Sequence, residues 1–224
     1  GSLPRKGAAA SITPQEFLTE MIDKIEKEPL ITLHLETRLA STAGFMGNFT
    51  TTLERAAEDG GTTRSEVKHG VAILCTGGVE YRGDEYGYGT NPNIVTGLEF
   101  EEILAEHARL PKEECTRPLP KSIAMVLCVG PAEQYCGRIC CSSALKNALA
   151  LKRLDPAAQI TILYREMRSY GFKERLHTQA RDSGVAFIHY DELSRPEVRT
   201  LDASDSGDAA LEIRVWEEVL GREI

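Results

Sequence analysis

Four of the six cysteines in this 224-residue chain stand close together: Cys128, Cys136, Cys140 and Cys141. Four thiolates on one folded loop are the ligands that a cubane iron–sulfur cluster requires, although their spacing differs from that of ferredoxins. The N-terminus has no signal-peptide pattern, and clustered cysteines in a reducing compartment are typical of metal or redox sites. We therefore expect a cytoplasmic protein with a cysteine-ligated centre.

Other interpretations of these cysteines stay open. Zinc accepts the same thiolates. Cys128 is also compatible with ordinary packing in a buried strand, the other three being incidental small residues. A thiol–disulfide pair is a further alternative, but Cys140 and Cys141 are adjacent, and a bridge between them would strain the peptide.

The elements around the cysteines predict how they are positioned. Residues 123–129 are apolar at almost every position, which is typical of a buried strand. After Cys141, a helical pattern places Leu145, Leu149 and Leu151 on its apolar side. The N–H groups of its first turn, with Arg138 nearby, would favour the negative charge of a thiolate-ligated cluster. Strand, loop and helix in this order open a dinucleotide-binding unit, here with cysteines in place of the glycine fingerprint.

Further strands and a helix complete the second half of the chain. Strands are predicted at residues 159–165 and 185–190, with a helix at 173–183 between them that ends at Gly184. This alternation predicts an α/β fold with a Rossmann-like parallel sheet. Residues 211–215 and a partner that follows them are expected to form an antiparallel hairpin extending that sheet.

The first half predicts a different architecture. A helix begins at the N-cap Thr13 and continues to about Glu28. Strands at residues 30–38, 47–54 and 66–74 form a small antiparallel meander, with 71–74 as its buried end, and Thr96 caps a helix that reaches His107. We expect a tag or disordered leader at 1–10, a partial FAD-type domain at 11–110 and a cysteine-cluster domain at 120–224.

Composition excludes several classes of function. The formal net charge is −8, so the chain lacks the basic footprint of a nucleic-acid binder. No apolar run reaches the length of a membrane span, and we expect no direct insertion into a membrane. No residue pattern indicates a general acid–base pair or a nucleophile pair, and no catalytic residue is assigned.

Five segments resemble one known family: YGYGTNPNIVTGLEFEEIL, SIAMVLCVG, YCGRICCSSALKNALALK, ITILYREMRSYG and VAFIHY. They resemble the A subunit of heterodisulfide reductase and its bacterial relatives in flavin-based electron-transfer complexes. The resemblance implies a thioredoxin-reductase-like body in which one half binds FAD. The other half, shaped like an NAD domain, holds a [4Fe–4S] cluster on Cys128, Cys136, Cys140 and Cys141. The implied partners are other iron–sulfur or redox subunits, and a homodimer is also compatible.

The chain departs from the family in ways that matter for its cofactors. The loop between Cys128 and Cys136 is shorter than in the methanogen enzymes, and the chain lacks the G-x-G-x-x-G of the FAD half and a ferredoxin-like insertion. We therefore expect a fragment that does not hold FAD tightly on its own.

The resemblance also indicates residues near nucleotide cofactors. Thr76, Gly77 and Gly78 follow a strand at the position where the family's chain passes the flavin, although a simple glycine turn is the alternative. Gly130 is all that remains of a dinucleotide fingerprint, so we expect no NAD(P)H in this half. Two competing functions stay open: an NAD(P)H-dependent flavin oxidoreductase domain, and a docking module with zinc or without metal.

Overall fold

A computed structural model describes residues 12–57, 60–130, 136–201 and 211–224. The chain divides into two compact units, Gly1–Gly77 and Gly78–Ile224. The leader expected at residues 1–10 lies outside the described residues. Each unit has its own sheet, antiparallel in the first and parallel in the second, which confirms the mixed α/β class.

The first unit opens with helix α1 (Pro14–Lys27), which begins at the residue that the sequence predicted. Thr13 Oγ1 accepts a hydrogen bond from the Glu16 backbone N–H at 3.2 Å, and a Glu16 carboxylate oxygen accepts one from the Thr13 N–H at 2.7 Å. This reciprocal capping box satisfies N–H groups that have no partner inside the helix. Pro29 follows the C-cap Glu28 and disfavours helical geometry there.

Three antiparallel strands follow α1: β1 (Thr37–Phe45), β2 (Asn48–Ala56) and β3 (Thr62–His69), with β2 in the centre. On β2, the buried carboxylate of Glu54 lies between Arg38 at 2.6 Å and Arg64 at 2.8 Å, one from each neighbouring strand. This cross-strand network stabilises the register of all three strands. The predicted meander is confirmed.

Two predicted strand bounds in the meander are wrong. β1 begins at Thr37 rather than residue 30, because β2 has no residues beyond Ala56 to pair with an earlier segment. β3 ends at His69, which pairs with Phe49 near the start of β2. The segment 71–74 therefore has no neighbouring strand and is not a buried end; Ile73 is 85% exposed.

The second unit carries the parallel sheet of β4 (Ser122–Val126), β5 (Gln159–Tyr164) and β6 (Ala186–His189), with β5 in the centre. Its helices are α2 (Gly97–His107), α3 (Cys140–Leu154) and α4 (Glu174–Asp182). Thr96 and Glu99 form the predicted cap of α2 as a second capping box. Strand, helix, strand, helix and strand in this order confirm the Rossmann-like prediction.

The core of this unit forms where α3 packs on the sheet. Leu145, Ala148 and Leu151 of α3 have no exposed surface and belong to one cluster with Ile160 and Ile162 of β5. Residues of α2 and α4 complete this cluster: Phe100, Leu104 and Ala180. The apolar side predicted for α3 therefore includes Leu145 and Leu151, and their burial holds the helix start at one edge of the sheet.

The C-terminal part contains two small antiparallel pairs. β7 (Glu197–Thr200) pairs with β8 (Leu211–Arg214), and β9 (Trp216–Glu217) pairs with β10 (Arg222–Glu223). The predicted hairpin is thus wrong in its pairing: β8 takes the preceding β7 as its partner, in a sheet separate from the parallel one. Charged residues alternate with Val198 in β7, which is why no apolar pattern indicated that strand.

Candidate metal centre

Three places in the chain bring the four cysteines together at the carboxyl end of β4. Cys128 follows that strand, Cys136 precedes α3, and Cys140 and Cys141 are the first two residues of α3. Crevices at the carboxyl ends of parallel strands are the usual ligand sites of open α/β sheets. We call these four residues the cysteine centre; the chain between Gly130 and Cys136 lies outside the described residues.

Cys141 is the buried member of the centre, at 1% exposure. Its Sγ accepts a hydrogen bond from the Arg168 backbone N–H at 3.4 Å and lies 3.6 Å from the carbonyl oxygen of Glu166. A hydrogen bond from Cys140 lowers the pKa of the Cys141 thiol to about 7, while the charges of Cys128 and Cys136 oppose that change. All four sulfurs are therefore within electrostatic reach of one another.

Cys140 is the exposed member of the centre. Its hydrogen bond to Cys141 raises the pKa of the Cys140 thiol, and the backbone N–H groups of Cys128 and Cys141 act in the opposite direction. The two adjacent thiols thus share a proton, and a metal that displaced it would meet sulfurs already supplied with N–H donors.

The backbone at the start of the centre has an uncommon conformation. Cys128 has a φ of +60°, in the left-handed region that residues with a side chain seldom occupy, and Gly130 has a φ of +72°. Such backbone persists where its surroundings hold it, and it is concentrated at functional sites. The buried Tyr190 supplies one constraint: its hydroxyl donates to the carbonyl oxygen of Leu127 at 2.5 Å.

The start of α3 offers further donors. Its N-cap, Ile139, has no side chain that can accept a hydrogen bond, and its first turn contains no acidic residue. The first-turn N–H groups therefore remain available to an anionic group. The Ser142 hydroxyl in the same turn is buried and has no hydrogen-bond partner among the described residues.

Two arginines lie beside the centre. Arg138, which the sequence placed near the cysteines, has a φ of +57° and donates to the Tyr170 hydroxyl at 2.9 Å. The ion pair with Glu166 raises the pKa of Arg168, and the charges of Cys136 and Cys128 raise it further. The sequence did not connect Arg168 or Tyr190 with the cysteines; the signal was their position just after β5 and β6, whose ends share an edge with β4.

The donors present fit an iron–sulfur cluster. Within residues 12–57, 60–130, 136–201 and 211–224, no group of three or more His, Cys, Asp or Glu side chains has the spacing to hold a metal ion as it stands. The donor set nevertheless consists of four soft thiols, surrounded by N–H groups and one unpartnered hydroxyl. Soft sulfur ligands with hydrogen bonds to sulfur are the environment of such clusters.

Gly130 has a structural reason of its own. A Cβ atom at this position would overlap the ring of Tyr81, whose hydroxyl donates to Glu85 at 2.8 Å. The close approach of an aromatic ring, together with the positive φ, therefore requires glycine here. The assignment of Gly130 to cofactor binding stays a prediction.

The predicted flavin residues lie in a segment without regular structure. Gly77 has a φ of +68°, and a Cβ atom on Gly77 or Gly78 would meet nothing within 4 Å. Thr76 follows the exposed Cys75. The assignment of Thr76, Gly77 and Gly78 to flavin binding stays a prediction.

Cys115 has surroundings unlike those of the cysteine centre. Its thiol donates to the Pro111 carbonyl oxygen at 3.3 Å. Burial, followed by the charges of three glutamates, raises its pKa. This residue therefore offers a matched control for experiments on the centre.

Comparisons with known proteins agree with this architecture. No protein-family model matches the chain. It is 30% identical over 172 residues to the A subunit of the H(2):CoB-CoM heterodisulfide,ferredoxin reductase of Methanothermobacter marburgensis, covering 70% of this chain and 25% of that protein. It is 36% identical over 136 residues to the A subunit of the H(2)/formate:CoB-CoM heterodisulfide,ferredoxin reductase of Methanococcus maripaludis, covering 54% and 20%.

A third relative carries the cofactor class in its name. The chain is 34% identical over 137 residues to the iron-sulfur A subunit of the CoB--CoM heterodisulfide reductase of Methanocaldococcus jannaschii, covering 55% of this chain and 21% of that protein. The fold and the centre define an α/β protein with a Rossmann-like sheet that carries cysteines at its carboxyl edge. The matches confirm the resemblance: the chain corresponds to a segment of the heterodisulfide reductase A-like family. It spans 20–25% of the length of these three relatives.

No helix in the described part of the chain combines the length and the hydrophobicity that crossing a membrane requires.

Proposed function

We propose that this chain carries an electron-transfer step of a heterodisulfide reductase A-like flavoprotein, through a [4Fe–4S] cluster bound by Cys128, Cys136, Cys140 and Cys141. The observation that carries the proposal is the convergence of four cysteines from three places in the chain on the start of α3. The printed names of the relatives, one of which is an iron–sulfur component of a reductase, support an oxidoreductase role.

When bound, a [4Fe–4S] cluster supplies one-electron redox chemistry. The chain's own residues bind it and adjust its environment. Four sulfurs are the ligands, and the Arg168 N–H on Cys141 and the Cys128 N–H on Cys140 offset negative charge on sulfur. The start of α3 adds the positive end of the helix dipole.

The remaining parts of the function belong to a longer assembly. We propose that FAD binds in the full-length protein, with Thr76, Gly77 and Gly78 beside it, as the family resemblance implies. Electrons would pass between that flavin and other iron–sulfur or redox subunits, in the cytoplasm. The relatives are named as subunits of reductases, which supports partners of this kind.

The test is iron and acid-labile sulfide analysis of the chain expressed without oxygen, together with its visible spectrum. We expect about four irons and four sulfides per chain, with loss or distortion of the cluster in Cys140→Ser. Cys115→Ser is the matched control and should keep full occupancy, because its thiol lies in a different environment. Absence of iron after reconstitution, or equal loss in both variants, contradicts the proposal.

The same samples separate the competing functions. Stoichiometric zinc, or four reactive thiols without metal, would favour the docking module. The NAD(P)H-dependent domain requires a nucleotide at the Gly130 loop, where the Tyr81 ring lies against the glycine. Perturbation of residues around Gly130 in an NADH titration, without bound iron, would favour that domain.

A further inference from the structure

Tyr190 is a buried polar residue that the proposed function leaves without a role. It follows β6 at 1% exposure, and its backbone N–H donates to the Tyr164 carbonyl oxygen at 3.0 Å. Its hydroxyl donates to the Leu127 carbonyl oxygen at 2.5 Å. Burial raises the pKa of Tyr190, so the hydroxyl keeps its proton and remains a donor at physiological pH.

The acceptor of this bond belongs to the peptide that leads into the cysteine centre. The Leu127 N–H still follows the sheet and donates to the Leu163 carbonyl oxygen at 2.9 Å. The Leu127 carbonyl bonds to Tyr190 instead, and the chain then turns at Cys128 with a φ of +60°. Tyr190 therefore holds the peptide unit between Leu127 and Cys128 at the point where the backbone leaves its regular geometry.

The other end of the same peptide faces the centre. The Cys128 N–H is a hydrogen-bond donor to the Cys140 sulfur. One peptide unit thus accepts a hydrogen bond from a buried phenol at its oxygen and donates one to a cysteine sulfur at its nitrogen. Hydrogen bonds in such a series polarise one another, so the first bond strengthens the second.

We propose that Tyr190 is a positioning residue for the cysteine centre: through the Leu127–Cys128 peptide it orients and strengthens the N–H donor to Cys140 and so raises the reduction potential of the bound cluster. The inference rests on the proposed function. Reduction adds one electron to the cluster and increases the negative charge on sulfur. Donors to sulfur therefore stabilise the reduced form more than the oxidised one.

The first test compares midpoint potentials of the reconstituted chain, measured by a spectroscopic redox titration. Tyr190→Phe removes the hydroxyl and keeps the ring. We expect the reduced form to become about threefold less favoured, a potential about 28 mV more negative at 59 mV per tenfold change. Tyr164→Phe is the matched control, because this tyrosine contacts Phe187 and His189 by its ring and has no described bond to the centre.

A second change has the opposite expected sign and covers a Tyr190→Phe chain that does not fold. Site-specific replacement of Tyr190 by 3-fluorotyrosine makes the phenol a stronger donor and should shift the potential to a more positive value. An unchanged potential with full iron and sulfide, or an equal shift in Tyr164→Phe, overturns the role of Tyr190 and leaves the proposed function standing. A parent chain that binds no iron overturns both.

Discussion

Leu145 offers the most direct test of how α3 holds the cysteine centre in place. It is fully buried between α3 and the parallel sheet, and it lies one helical turn after Cys141. The change Leu145→Ala removes side-chain atoms from the middle of this contact without altering any polar group. The prediction therefore concerns packing alone.

The magnitude follows from the burial. Fully buried Leu→Ala changes destabilise proteins by about 2.7–5 kcal/mol, since the lost transfer free energy adds to the cost of the remaining cavity. Leu145 belongs to a cluster contributed by α2, α3, α4 and β5, whose collapse around a cavity is limited. We expect a loss of about 3–4 kcal/mol in the free energy of unfolding. For a unit of this size that corresponds to a melting temperature about 10 °C lower.

Urea and thermal unfolding of the metal-free chain, followed by circular dichroism, measure this loss. Leu193→Ala is the control: Leu193 is 95% exposed, and its removal should cost less than about 0.5 kcal/mol. A Leu145→Ala cost within error of the control would refute the packing of α3 on the sheet, and with it the positioning of Cys140 and Cys141.

Three further predictions test other parts of the structure. Two arginines hold the pKa of Glu54 below its usual range, so its stabilisation is present above the unfolded value of about 4.3 and is lost as pH falls through the lower folded pKa. Glu54→Gln should therefore reduce the stability difference between about pH 6 and about pH 3, measured by denaturant unfolding. Thr96→Ala removes the cap of α2 and should cost about 1 kcal/mol by the same assay, whereas an unchanged stability would contradict the capping box. Gly130→Ala should cost more than the roughly 1–2 kcal/mol of left-handed strain, and Tyr81→Ala should recover the excess in a double-mutant cycle; full additivity would show that the ring does not contact the glycine.

The separation between local and distant interactions explains which elements could be predicted. The caps at Thr13 and Thr96 depend on a glutamate three residues later, a distance that the sequence displays directly. The start of β1 and the end of β3 depend on where β2 begins and ends. The alternating segment 30–36 and the apolar segment 71–74 have the composition of strands, but no partner strand lies beside them.

The same distinction holds at the cysteine centre. The four cysteines, the strand and helix that flank them and the family that these segments resemble were all predictable, because each depends on residue types and on periodicities that span a few residues. The surroundings of the sulfurs were not predictable. Arg168 and Tyr190 come from the ends of two other strands and reach the centre because parallel strands place their carboxyl ends at one edge. Contacts of this kind join residues far apart in the chain, and they form only when α3 has buried its apolar side on the sheet.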